Sequence, residues 1–137
     1  MEFQQLLKRI KDLGLPEGEF ALFGSAPIVV RGIRPFSHDI DMIVSEKVWN
    51  EYAKKPEWQR TTFERDGKVV EMLENNLLEL YKVWGPGEWD IEALLQRAEI
   101  INGLPFVSLN DVLQWKEISA RDKDLKDVEL IKKYLGC

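Results

Sequence analysis

The spacing of apolar residues divides the chain into short elements. At its start, Phe3, Leu6, Leu7, Ile10 and Leu13 recur at helical intervals, and Gly14 and Pro16 close that helix. Residues 19–23 form a short apolar run that reads as a first strand. Gly24-Ser25 then opens a second helix, with Ser25 as N-cap, Pro27 in its first turn and Gly32 at its end. A loop at Pro35 to Ser37 leads to a second strand, Asp39 to Val44. Ser45 caps a helix over 46–54. Residues 61–65 and 68–73 read as a hairpin joined at Asp66-Gly67, a strong turn signal. Glu74-Asn75-Asn76 is a further turn, followed by a strand over 77–84 and the Gly85-Pro86-Gly87 turn. A helix is predicted over 90–101, a short strand within 103–108, and a helix from Ser108 and Asp111 to about Ser119. Asp122 or Asp124 caps the last helix, which runs to Leu135. This alternation predicts a mixed α/β (α+β) domain spanning 1–137, without repeats or a linker.

Composition narrows the classes. A chain of 137 residues is one domain by length, and 45% apolar content can build a core. A net charge of -5 argues against non-specific nucleic-acid binding through a broad basic face. The single cysteine, Cys137, excludes a disulfide framework and argues against a cysteine-based zinc site. No leader-like start and no long apolar run are visible, so the expectation is a cytoplasmic protein with no membrane span.

Against this background the run from His38 to Val44 stands out. Asp39 and Asp41 alternate with Ile40 and Met42, so on a strand both carboxylates point to one face, roughly 7 Å apart at Cα. Two like charges side by side are costly unless a cation sits between them. A third acid would strengthen the site. Glu79, within Leu77 to Tyr81, has the same pattern of an acid flanked by apolar residues, and Glu71 between Val70 and Met72 competes with it. Carboxylates in a chain with one His and one Cys suit a hard cation, Mg²⁺ or Mn²⁺. Gly24 permits close backbone approach to a ligand, and Ser25 at a helix start offers a hydroxyl and free N–H groups to a phosphate.

The stretch from Leu22 through Gly24-Ser25 to Ile33, followed by Asp39-Ile-Asp-Met-Ile43, resembles the signature of the nucleotidyltransferase-fold superfamily: Gly-Gly or Gly-Ser, about a dozen residues, then Asp-x-Asp on the next strand. DNA polymerase beta and the aminoglycoside nucleotidyltransferases share that signature. The segments 107–116 and 120–127 resemble the C-terminal helices of the abortive-infection toxin branch, in which a Lys on one helix is followed by an Arg-x-Lys-Asp-x-x-Asp run.

The resemblance implies a small mixed sheet with helices packed mainly on one side. The activity it implies is transfer of an NMP from an NTP such as ATP to a hydroxyl or phosphate acceptor. By position, Asp39, Asp41 and Glu79 would be catalytic and metal-holding. Gly24, Ser25, Lys116, Arg121 and Lys123 would bind the nucleotide, and Asp124 and Asp127 would cap a helix. The acceptor could be RNA, a protein or a small molecule. The chain stops soon after such a catalytic core, so acceptor choice is expected from loops, a homodimer partner or a partner protein. The alternative is an inactive relative that binds without catalysis, for example in a toxin–antitoxin or regulatory pair.

Overall fold

The structure, a computed structural model, describes residues 2–65 and 67–136. Met1, Asp66 and Cys137 lie outside the described residues, and with them half of the expected Asp66-Gly67 turn and the lone cysteine. The elements in chain order are α1 (Phe3–Leu13), β1 (Phe20–Leu22), α2 (Ala26–Val30), β2 (Ile40–Val44), α3 (Glu46–Tyr52), β3 (Gln59–Arg65) and β4 (Lys68–Asn75). They continue with β5 (Leu78–Tyr81), α4 (Ile91–Gln96), β6 (Glu99–Ile101), β7 (Leu104–Phe106), α5 (Leu109–Ser119) and α6 (Asp122–Leu135).

Seven strands form one mixed sheet in the order β3-β4-β5-β2-β1-β7-β6. β2 runs parallel to β5 and β1 parallel to β7, while the other neighbours are antiparallel. The mixed α/β class therefore holds.

β1, inside the sheet between β2 and β7, is apolar on both faces. Phe20 and Leu22 enter one core cluster with Leu6, Leu7 and Ile10 of α1 and Val48, Trp49 and Tyr52 of α3. Ala21 and Phe23 enter a second cluster with residues of α4, α5 and α6. Helices thus cover both faces of the sheet, where a mainly one-sided layer was expected. A central strand that is apolar on both sides must be covered on both.

The predicted helix over 90–101 is corrected. It ends at Gln96, and Glu99–Ile101 is instead the edge strand β6, paired with β7 through the two-residue loop Asn102-Gly103. Both loop residues have positive φ, 53° and 80°, as a type I′ hairpin turn requires, and Asn-Gly is the pair best suited to it. Leu94, Leu95, Ala98 and Ile101 fit a helical period, but turn chemistry overrides it. The strand predicted over 77–84 is also shorter, because Asn76 and Leu77 form the turn, with φ of 39° and 74°.

Local caps set the helices that carry the site. Ser45 and Ser108 accept from the backbone N–H of Val48 and Asp111, each at 3.2 Å. Arg97 grips Asp111 with two hydrogen bonds of 3.0 Å, which fastens the start of α5 to the end of α4. At α6 the N-cap position belongs to Arg121, not to Asp122 or Asp124. Asp124 sits one turn in and accepts from the Arg121 N–H at 3.2 Å.

Candidate functional site

Strand pairing assembles the acids. β2 and β5 lie side by side with Asp41 in register with Glu79. Asp39, just before β2, shares the face of Asp41 by alternation. One carboxylate oxygen from each of Asp39, Asp41 and Glu79 lies within 4.8 Å of the other two, and all three side chains are half-buried. Glu71 is excluded by parity. It lies two residues before Leu73, whose cross-strand partner is Leu80, so Glu71 points to the opposite face from Glu79. There it pairs with Arg60 at 2.8 Å and Lys82 at 3.8 Å.

Two neighbours hold this cluster. Gly24 has φ of +59°, and a Cβ built there would meet Asp41 Oδ2 at 2.6 Å. Glycine is required twice over, for the left-handed backbone and for its contact with the carboxylate. The Phe23 N–H donates to the Asp41 carbonyl at 2.8 Å, locking the β1–α2 turn onto β2. Ser25 occupies the N-cap position of α2, but its hydroxyl makes no capping bond, and the residue lines the cavity above the acids. On the other side, the Tyr81 hydroxyl donates to Glu79 Oε1 at 2.8 Å. Sequence reasoning missed Tyr81, although i+2 spacing on β5 places it on the same face as Glu79.

The three acids resist ionisation together. Burial pushes Asp39 up to about 6, and the hydrogen bond and charge of Glu79 add to it. Burial also raises Asp41 to about 6, with the charge of Asp39 adding to it and the hydrogen bond to Glu79 opposing it. Glu79 rises to about 7 through burial and then its hydrogen bond to, and the charge of, Asp41. Such a cluster titrates as a unit. Three convergent carboxylates are the donor chemistry of a hard divalent cation, so the residues fit a metal ion.

The basic residues expected at the site divide in two. Lys116 is buried in an ion network, with Nζ 3.2 Å from Asp124 and 3.0 Å from Asp127. Asp127 also binds Arg34 through two hydrogen bonds of 2.8 and 3.2 Å. Arg121 Nε and Ser119 Oγ donate to Asp124 at 2.8 and 2.7 Å. Burial raises Asp124, but the bonds from Arg121 and Ser119 and the charge of Lys116 outweigh it and hold the carboxyl at about 2. The expectation that Asp124 and Asp127 only cap a helix is therefore corrected. Asp124, at N3, accepts from the Arg121 N–H as half of a capping box and pairs with Lys116, while Asp127 bridges Lys116 to the loop before β2. Arg34 went unrecognised because its partner lies 93 residues away in sequence. Lys123 makes no ion pair among the described residues.

These groups surround a cavity of about 980 Å³, with the acids, Ser25, His38 and Lys116 among its lining. One wall is aromatic: Trp84 stacks on Phe23 with centroids 4.3 Å apart, and Trp115 meets both edge-on at 5.1 Å. The Gly85–Pro86 segment is tied down by Trp115 Nε1 donating to the Gly85 carbonyl at 3.1 Å and Trp89 Nε1 to the Pro86 carbonyl at 3.0 Å. Among the described residues no helix is long and apolar enough to cross a membrane.

No protein-family model matches the chain, and no curated protein sequence matches it. Among solved structures the chain is similar to that of ANT(2")-Ia in complex with adenylyl-2"-tobramycin, at 16% identity and a TM-score of 0.47, over 96% of this chain and 86% of that one. A likeness of this degree assigns neither family nor substrate.

The folded cluster keeps protons that the unfolded chain, with acids near 4, sheds. Stability without metal should therefore fall as pH rises from about 4 through about 7, the range of the shifted carboxyls. Millimolar Mg²⁺ or Mn²⁺ should raise the melting temperature more at pH 8 than at pH 5. Asp41→Asn should flatten the pH dependence and abolish the metal gain, whereas identical melting curves with and without metal at pH 8 would count against the site. Gly24→Ala should cost about 1–3 kcal/mol from the forced left-handed backbone and weaken the metal-induced gain by displacing Asp41, both readable in thermal melts. Lys116→Met, which leaves Asp124 and Asp127 buried without their shared ammonium, should cost about 3 kcal/mol in urea unfolding with an unchanged m-value.

Proposed function

We propose that this chain is a divalent-metal-dependent nucleotidyltransferase that moves an NMP from an NTP to an acceptor and releases pyrophosphate. The observation that carries this reading is the in-register convergence of Asp39, Asp41 and Glu79 beneath the Gly24 turn, beside a cavity with cationic walls. Asp39, Asp41 and Glu79 would hold Mg²⁺ or Mn²⁺. When bound, the cation neutralises phosphate charge and polarises the reacting oxygen.

The rest of the work falls to the protein's own groups. Gly24 exposes backbone to the triphosphate without a side chain in the way, and the uncommitted Ser25 hydroxyl is available to it. Lys116 and Arg121 are pre-positioned by Asp124 and Asp127, so their charges meet the phosphates with little further ordering. Lys123 adds a positive charge at the cavity that no ion pair among the described residues engages. Glu79, oriented by the Tyr81 hydroxyl, takes the proton of the acceptor hydroxyl as its oxygen bonds to the α-phosphorus and the bond to pyrophosphate breaks. A binding module without catalysis is the competing reading. A fold kept for binding alone has no need of three mutually repelling carboxylates.

Incubation with each α-³²P-labelled NTP, Mg²⁺ and either total RNA or a small-molecule extract should yield a labelled product. Asp41→Asn should reduce transfer to background. Glu79→Gln should lower transfer while preserving the NTP-induced thermal shift if its main role is proton acceptance. Absence of both labelled product and NTP-dependent thermal shift in the unaltered protein would favour the binding module.

A further inference from the structure

The β3–β4 hairpin brings to the cavity a pair of cations that the donor site leaves unused. Arg65 and Lys68 are direct cross-strand partners, so two like charges stand side by side at its end. Like charges directly opposite one another on a ladder are destabilising. Both residues line the cavity, and neither makes a contact ion pair among the described residues, although the charge of Arg65 also acts on Asp41. Their positions mirror the acid cluster: crowded charge of one sign facing a space large enough for a ligand.

The surface beside them is apolar and only half-buried, with the Arg65 guanidinium over the Phe63 ring at 5.3 Å from its centroid. Phe63 and Val70 pair across the same two strands on the same face as Arg65 and Lys68, and neither belongs to a core cluster. Val70 lines the cavity as well. The cations assigned to the NTP, Lys116, Arg121 and Lys123, come from α5, the N-cap of α6 and α6 itself, whereas this bank comes from the far edge of the sheet. At about 980 Å³, the cavity is at the upper end of the range for a single drug-sized ligand, so it has room for more than a nucleotide.

The geometry points to a phosphate-bearing acceptor: Arg65 and Lys68 hold a phosphate of the molecule that receives the nucleotidyl group, with Phe63 and Val70 as the apolar platform beside it. This rests on the nucleotidyltransferase reading. The acceptor's hydroxyl, not the held phosphate, is the nucleophile. Its oxygen bonds to the α-phosphorus, its proton passes to Glu79, and pyrophosphate leaves. The charge complementarity disfavours a cationic acceptor, which would meet Arg65 and Lys68 unscreened.

The test is a set of tryptophan-fluorescence titrations in Mg²⁺, with and without a saturating non-hydrolysable NTP, using Trp84 and Trp115 at the cavity as reporters. The probes are ribose 5-phosphate against ribose, and a single-stranded tetranucleotide against its neutral methylphosphonate analogue. The phosphorylated or charged member of at least one pair should bind about tenfold tighter, a preference that weakens with salt. Preference in the sugar pair identifies a phosphomonoester, and preference in the oligonucleotide pair alone identifies a polymeric phosphodiester. Lys68→Glu should abolish the preference and Lys68→Arg should keep it, with the NTP-induced thermal shift unchanged in both. Equal binding within both pairs overturns the inference. So does loss of the NTP shift in Lys68→Glu, which would assign Lys68 to the donor. Absence of an NTP shift in the unaltered protein overturns the transfer reading instead, and the titrations without NTP then show whether the phosphate site exists independently of it.

Discussion

Three half-buried carboxylates are held against their mutual repulsion by the parallel pairing of β2 with β5. That register puts Asp41 beside Glu79, and the period of two brings Asp39 to the same face. Burial first, and the neighbouring acids after it, raise the carboxyls of the cluster to between about 6 and about 7. A protein holds such a strained group only where the surrounding structure over-determines it. Here the determinants are the buried β1–β2 ladder, the Gly24 turn pressed against Asp41, and the Tyr81 hydroxyl on Glu79.

The opposite charge is managed differently. Lys116 is buried between Asp124 and Asp127, and Arg34 and Arg121 complete a network of three cations against two carboxylates. Buried ion pairs add little net stability, because desolvation offsets the attraction, but they fix geometry. This one ties the loop before β2, and so the approach to Asp39, to the α5–α6 corner. The two walls of the cavity are thereby coupled through Asp127: movement of α6 would be felt at Arg34, five residues before the first acid.

The central strands explain why this arrangement can sit at the edge of a core. β1 is apolar on both faces and demands helices on both, which places α5 and α6 over the face that carries the acids. The aromatic packing of Phe23, Trp84 and Trp115 ends where the carboxylates begin, so the acids have a low-dielectric neighbour on one side and an open cavity on the other. Attraction between a bound cation and these carboxylates is stronger there than in bulk water.

Much of this was legible in the chain itself. The alternation of Asp39-Ile40-Asp41-Met42 determined that two carboxylates share a face, because side-chain direction along a strand is a local property. The Gly24-Ser25 turn, the helix of residues 3–13 and the caps at Ser45 and Ser108 were equally local. Asn102-Gly103 was as readable as Asp66-Gly67, yet the helical spacing of Leu94, Leu95 and Ala98 masked it. Only the tertiary structure decided between Glu71 and Glu79, since that choice turns on which strand lies next to β2 and on the parity of its register. Only it revealed that Lys116 is bound by Asp124 and Asp127 and that Arg34 joins them. Those contacts depend on how distant elements pack, and no spacing along the chain encodes them by itself.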